Sequence, residues 1–213
     1  MVIPASVTSL GASPGPNECN YTFGSSEYFS DNSVAQLTEA IINAKVTEIP
    51  NACFAYQVKL SKISLPSTIK RIGCDAFVLC PITSPSSSDL PEALEEIGAR
   101  AFSGAHFTSV TFHDKISKID NSAFNNCQIA RIDLHSSITS INATAFEWGY
   151  VTTFICRATT VPETPQEDEW GNSFSPFYKN KGVCKVQMPA ESLQTYKEAW
   201  GQYFGEENIS VIE

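Results

Sequence analysis

Basic residues are scarce in this chain. Lys plus Arg number 14 against 23 Asp plus Glu, for a formal charge of -9 and a pI near 4.8. A nucleic-acid partner is met by a basic stripe, and none is visible, so nucleic-acid binding is excluded as the main function. An anionic membrane surface is disfavoured on the same ground. Long apolar runs are missing too: nothing reaches the roughly 18 residues of a spanning helix, so no membrane insertion is expected. The opening Met1-Val-Ile-Pro-Ala has neither the charged nor the apolar region of a secretory signal. There are 3 His and no CxxC pair. A Gly-rich phosphate loop is absent as well, which removes the usual signature of nucleotide chemistry. No cofactor and no metal is expected. The run Glu167-Asp-Glu169 reads as a solvated acidic loop, because a calcium loop needs spaced oxygen ligands and a turn glycine.

What the chain does have is one phrase repeated. Ile97-Gly-Ala-Arg-Ala-Phe102 recurs as Ile49 to Phe54, with Cys53 in the Ala place, then as Ile72 to Phe77, Ile119 to Phe124 and Ile141 to Phe146. The steps from Phe to Phe are 23, 25, 22 and 22 residues, a period that belongs to leucine-rich solenoids. Each phrase carries a second apolar group: Ile63-Ser-Leu65, Val110-Thr-Phe112, Ile132-Asp-Leu134 and Phe154-Ile-Cys156. Two apolar residues around a middle one predict a short half-buried strand in each repeat. A third apolar residue falls three before the Ile of each phrase, at Val46, Ile69, Leu94, Ile116 and Ile138. A unit this short cannot close a core alone, so the units must stack and share one. Phe77, Phe102, Phe124 and Phe146 are then expected in one buried column.

The frames "SLPSTIKRIGCDAF" (64–77), "TFHDKISKIDNSAF" (111–124) and "DLHSSITSINATAF" (133–146) resemble the BspA-type leucine-rich repeat proteins found on the surfaces of gut and oral Bacteroidetes. The resemblance implies a strand-rich α/β right-handed solenoid, with parallel strands on one face and short helical turns on the other. It also implies a place at the cell surface or outside the cell, with adhesion as the role of some members.

Outside the repeats, Ile3-Pro-Ala-Ser-Val7-Thr-Ser-Leu10-Gly matches Leu65-Pro-Ser-Thr-Ile69-Lys-Arg-Ile72-Gly position for position, and Pro14-Gly-Pro16 then breaks it. Residues 17–45 read as an insertion with a helix over about 33–44, on Val34, Leu37, Ile41 and Ile42 at helical spacing and a Ser33/Gln36 capping box. After Cys156 the period ends. A strand over Cys184–Met188, a helix over Ala190–Trp200 stopped by Gly201, and a strand over 209–212 are predicted. "P-A-x-S-x-x-x-Y-K", here Pro189-Ala-Glu-Ser192 to Tyr196-Lys197, resembles the ending of the same family. A single domain over 1–213 follows: a partial repeat with a helical insertion (1–45), repeats (46–157) and a cap (158–213).

Seven cysteines are present, and Cys53, Cys127 and Cys156 stand where other repeats hold small or apolar residues, which points to burial as small hydrophobes. Cys74 and Cys80 flank Phe77 and are the pair placed for a local bridge. Enzymatic activity is not expected. The distant alternative is a hydrolase pairing Cys127 or Cys156 with His113 or His135.

Recognition remains, by a non-enzymatic exported module and with the protein as a monomer. Its partner is expected to be a protein or a glycan, bound on the strand-lined face. The alternative is an architectural segment of a larger surface assembly. Three columns are expected on that face: Lys62, Ser109, Arg131 and Thr153; Ser64, Asp89, Thr111, Asp133 and Ile155; Pro66, Pro91, His113, His135 and Arg157. The candidate binding residues are Lys62, Ser109, Thr111, His113, Arg131, Asp133, His135, Thr153 and Arg157. Within them, Arg131, His113, His135 and Arg157 form a local basic cluster suited to an acidic partner.

Overall fold

The computed structural model describes residues 1–10, 37–83, 90–142, 144–165, 176–177 and 184–212. The strands among them are β1 (Val2–Ile3), β2 (Glu39–Ile42), β3 (Glu48–Ile49), β4 (Lys62–Ser64), β5 (Arg71–Ile72), β6 (Glu96–Ile97) and β7 (Ser109–Thr111). They continue as β8 (Lys118–Ile119), β9 (Gln128–Leu134), β10 (Ser140–Ile141), β11 (Tyr150–Cys156) and β12 (Lys185–Met188), then helix α1 (Leu193–Phe204) and β13 (Ile209–Val211). All pairings are parallel and link strands from successive repeats. The result is a solenoid. Its principal strand face is made of two sheets, β1-β2-β4 and β7-β9-β11-β12-β13.

Each repeat contributes a second, shorter strand that the alternation pattern did not reveal. The Ile of the repeated phrase ends it, and these two-residue strands pair as β3-β5-β6 and β8-β10. Ile49, Ile72, Ile97, Ile119 and Ile141 point into the core at 0–2% exposure. Their outward neighbours Glu48, Arg71 and Glu96 are in register, so Arg71 lies between two carboxylates, 2.8 Å from Glu48 and 3.1 Å from Glu96.

The Ala-Phe step explains the stacking. The amide of each Phe donates to the carbonyl of the next repeat's Ala: Phe54 to Ala76, Phe77 to Ala101, Phe102 to Ala123 and Phe124 to Ala145, at 2.8–2.9 Å. The Phe rings therefore stack at 5.3–5.6 Å through Phe54, Phe77, Phe102, Phe124 and Phe146, forming the expected column. Such pairs add about 0.5–1.5 kcal/mol each beyond burial. The side opposite the strands is built of turns, and no helix occurs there among the described residues of 37–165. Each turn places a residue two before its Phe or two after it at positive φ, as at Asp75 and Leu79 or Ser122 and Asn126. At Gly98 a Cβ would lie 2.7 Å from the backbone nitrogen of Cys74, so the neighbouring turn leaves room for glycine alone.

Three expectations change. The helix over 33–44 is not formed across its described part: Glu39–Ile42 is a strand in parallel pairing between β1 and β4. Ala40 and Ile42 face the core at 0% and 2% exposure, so Ile41 and Ile42 of the apolar set that mimicked a helical stripe belong to another strand of the solenoid, with Leu37 just before it and Val34 outside the described residues. Ser33, Gln36 and Pro14-Gly-Pro16 lie outside the described residues.

The period does not end at Cys156 either. Phe177 stacks on Phe146 at 6.2 Å and the Phe146 amide donates to the Pro176 carbonyl, so Pro176-Phe177 is a further Ala-Phe step. Proline keeps the carbonyl that this step uses and gives up the amide bond that Ala76, Ala101, Ala123 and Ala145 make three residues back, and Glu163 forms a parallel bridge to Ser140 where the short strand would stand. The residues between them lengthen the repeat and hide it. They include Glu167-Asp-Glu169, which also lies outside the described residues, as do residues 84–89 of the earlier insertion.

Finally, α1 runs past Gly201 to Phe204 and stops at Gly205, which takes φ +83. At Gly201, inside the helix, a Cβ would meet only the exposed side chain of Glu206, 2.9 Å from its Cγ. Tyr196, Trp200, Tyr203 and Phe204 are buried on the helix.

Candidate functional site

Register fixes the candidate face. Ser109, Arg131, Thr153 and Lys185 are successive Cα partners, and so are Thr111, Asp133, Ile155 and Gln187. Ser109, Thr111, Arg131, Asp133 and Thr153 are thus brought together on one five-stranded sheet, with His113, His135 and Arg157 at its strand exits. Lys62 is apart from them, on β4 of the other sheet and paired in register with Glu39. The repeat between the two sheets carries residues 84–89, so Asp89 of the second column is outside the described residues.

The middle column is not solvent-facing throughout. Asp133 is 8% exposed and Ile155 is 2%. Arg157 closes over Asp133 with two bonds, Nε to Oδ1 at 2.7 Å and Nη2 to Oδ2 at 2.8 Å, and Arg131 Nη2 adds one at 3.3 Å. A carboxylate this buried needs such partners. The Arg side chains stay about half exposed, at 50% for Arg131 and 47% for Arg157. The cluster therefore presents two guanidiniums over one carboxylate, a net charge near +1, on arms that are already held in place. The hydrogen bond to Asp133 holds the Arg157 guanidinium above its ordinary range.

Both histidines act in turns. His113 and His135 stand in the place of Pro66 and Pro91, and each carbonyl accepts the amide three residues on, as those prolines do. His113 Nε2 donates to the Pro91 carbonyl at 3.0 Å, while its Nδ1 accepts the Lys115 amide at 3.4 Å. His135 Nδ1 accepts the Ser137 amide at 3.2 Å. Each Nδ1 lone pair is used by the backbone.

The thiols are spent on structure. Cys80 donates to the Phe54 carbonyl at 3.0 Å and Cys127 to the Phe102 carbonyl at 3.1 Å, each reaching back one repeat. Tyr196 donates its hydroxyl to the Ala158 carbonyl, which leaves the Cys156 thiol, 3.1 Å away, to donate to the Tyr196 oxygen. Burial pushes Cys80, Cys127 and Cys184 up to about 12 and raises Cys156 as well. Among the described residues, neither Cys127 nor Cys156 is hydrogen-bonded to a histidine. Cys53, Cys74, Cys80, Cys127, Cys156 and Cys184 are in no disulfide, so Cys74 and Cys80 are not bridged, and Cys19 is outside the described residues. Among the described residues no group of three or more His, Cys, Asp or Glu is arranged to hold a metal, and no helix is long and apolar enough to cross a membrane.

Sequence reasoning missed a groove beside this face, at the entry of the same strands. It has a volume of about 580 Å³ and runs from His106 to Tyr150. It escaped because β9 and β11 begin at Gln128 and Tyr150, four residues before the apolar triplets that start at Ile132 and Phe154.

The sequence matches the family model described as BspA type Leucine rich repeat region, in 6 copies over residues 20–89 and 83–161. Among solved structures it is similar to a leucine-rich repeat protein from Eubacterium ventriosum at 16% identity and TM-score 0.44, covering 73% of this chain and 33% of that one. It is also similar to a leucine-rich repeat protein from Bacteroides ovatus at 17% identity and TM-score 0.45, covering 83% and 52%. The chain thus spans about a third and about half of their lengths. No curated protein matches it.

Proposed function

We propose, because the chain belongs to the BspA-type leucine-rich repeat family, that it is a non-enzymatic, exported binding module whose strand face holds an acidic protein at the cell surface. The observation that carries this reading is the guanidinium pair of Arg131 and Arg157, fixed by buried Asp133 on a sheet of otherwise small polar groups. Pre-positioned charge costs less ordering on binding than a free side chain does. Around it, Ser109, Thr111 and Thr153 supply neutral donors and acceptors, and His113 and His135 shape the strand exits. Lys185, on the Arg131 column, extends the basic line. We place all of 1–213 in a single domain, with the segment after Phe177 covering the last repeat.

Capture of acidic extracellular-matrix proteins on the immobilised module tests this. Arg131→Glu should weaken binding by about tenfold or more, a loss of about 1.4 kcal/mol or greater, with only a small drop in the melt because Arg157 keeps its two bonds to Asp133. Added salt should weaken binding too. Unchanged affinity in Arg131→Glu would move the site off this face.

A further inference from the structure

We infer that the groove at the entry of β7, β9 and β11 is a second binding site, for a neutral saccharide. It is separate from the basic cluster. Successive repeats place His106, Gln128 and Tyr150 in one row and Thr108, Ala130 and Thr152 in the next, all six of them exposed and all lining the groove. The rows follow from the backbone: the amides of His106, Gln128 and Tyr150 donate to Ile82, Ala105 and Cys127, one repeat back in each case. With parallel strands about 4.8 Å apart, the row from His106 to Tyr150 is roughly 10 Å long.

The chemistry of this lining selects the ligand. None of the lining residues is Asp, Glu, Lys or Arg, in a protein whose formal charge is -9. An ionic partner would find nothing to pair with. A peptide adding itself as a strand is excluded along β9, whose two edges are already taken by β7 and β11. An apolar peptide side chain has no pocket, because Phe107 and Ile129 beneath the rows are 5% and 1% exposed. What remains is one aromatic ring, Tyr150 at 69% exposure, beside an imidazole, a carboxamide and two hydroxyls. Tyr150 offers a flat negative ring face to the weakly positive C–H face of a pyranose. Gln128, Thr108, Thr152 and His106 can donate to and accept from its hydroxyl groups. Ala130 keeps the floor low between the two threonines. A few placed polar groups around one aromatic surface is how neutral ligands are oriented in open sites.

Isothermal titration and saturation-transfer NMR with maltohexaose, cellohexaose, triacetylchitotriose and N-acetyllactosamine test the site on the full chain. At least one should bind, with saturation transfer to its ring protons, and the affinity should be insensitive to salt. Tyr150→Ala should weaken it by about tenfold or more, as loss of an exposed aromatic anchor does, while Tyr150→Phe, which keeps the ring, should retain it. Ala130→Arg should fill the floor and abolish binding, and it serves as the second variant should Tyr150→Ala fail to fold. Arg131→Glu should leave this binding intact, which separates it from the strand-face site. Absence of binding by all four oligosaccharides overturns the inference, and so does binding that Tyr150→Ala and Ala130→Arg both leave unchanged.

Discussion

At the scale of single residues, the cysteines show how the repeat turns polar-capable atoms into framework. Cys80 and Cys127 each follow a repeat Phe by three positions and donate to the carbonyl of the preceding Phe. Gln57, in the same place after Phe54, instead accepts the Leu37 amide through Oε1 at 3.3 Å. Burial disfavours the thiolate, and Cys80, Cys127 and Cys184 are pushed from an ordinary 9.0 to about 12. In the native protein, alkylation by iodoacetamide followed by mass spectrometry should leave these three and Cys156 unmodified. The half-exposed Cys74 should be the first of the described thiols to react. The sign for stability follows from the same shift. Above pH 9.0 the unfolded chain loses these protons while the folded chain keeps them, so stability is full below 9.0 and falls as pH rises towards about 12. Denaturant melts on either side of pH 9.0 should show the decline, and Cys127→Ala should flatten it. Rapid alkylation of Cys127 in the folded protein would mean the thiol is not buried as placed.

At the scale of elements, what could be read from the sequence was what repeats. The Phe column, the third apolar positions and the strand triplets are each defined by identity at a fixed period, and their apolar members are buried as that period requires, Leu65 only partly. Phe124 stacks on Phe102 and Phe146 at 5.6 Å and meets Phe107 and Phe112 edge-on. Truncation to Ala should therefore cost about 3–5 kcal/mol, read from urea melts; a loss under about 1 kcal/mol would contradict the register, since that is the scale of a surface change. The elements that escaped are those where the period is stretched or another signal competes. Glu39–Ile42 carries apolar residues that fit a helix as well as a strand, and only the neighbouring strands decide. Pro176-Phe177 lacks the Ala and lies 31 residues after Phe146, so nothing in spacing marks it. The candidate face was legible as columns, but the burial of Asp133 was not. That burial depends on Arg157 folding back one strand, a choice of side-chain direction that no alternation pattern encodes. The groove was less legible still, because its exposed residues share no identity from one repeat to the next.

At the scale of the whole molecule, a stack of identical steps leaves an apolar ring face and an unpaired strand at its last member, and both must be covered for the protein to remain single. The last repeat ends in Phe154 and Phe177, and α1 lays Trp200 and Phe204 on them. Trp200 is 5.8 Å from Phe154 and 5.2 Å from Phe177, and Phe204 is 6.2 Å and 4.7 Å from the same rings. Beside them, β13 pairs with β12 through Val186, Gln187 and Met188 and takes the free strand edge. Tyr196 ties the helix to the repeat through Ala158 and Cys156. Removing residues 189–213 therefore strips the aromatic cover and the strand edge in one cut, while the repeats up to β12 keep their own ladder. The truncated chain should associate with itself in sedimentation velocity, more so at higher concentration, because the bared edge of one copy fits the bared edge of another. Its melting temperature should fall as well, since the rings lose contacts worth several kcal/mol when buried aromatics are uncovered. Substituting Trp200→Ala in the full chain separates the two effects: it loosens the aromatic cover but leaves β13 in place, so it should lower the melt without driving association. A truncated chain that stays monomeric with an unchanged melt would make the segment an appendage and leave the strand edge of β12 tolerated in water.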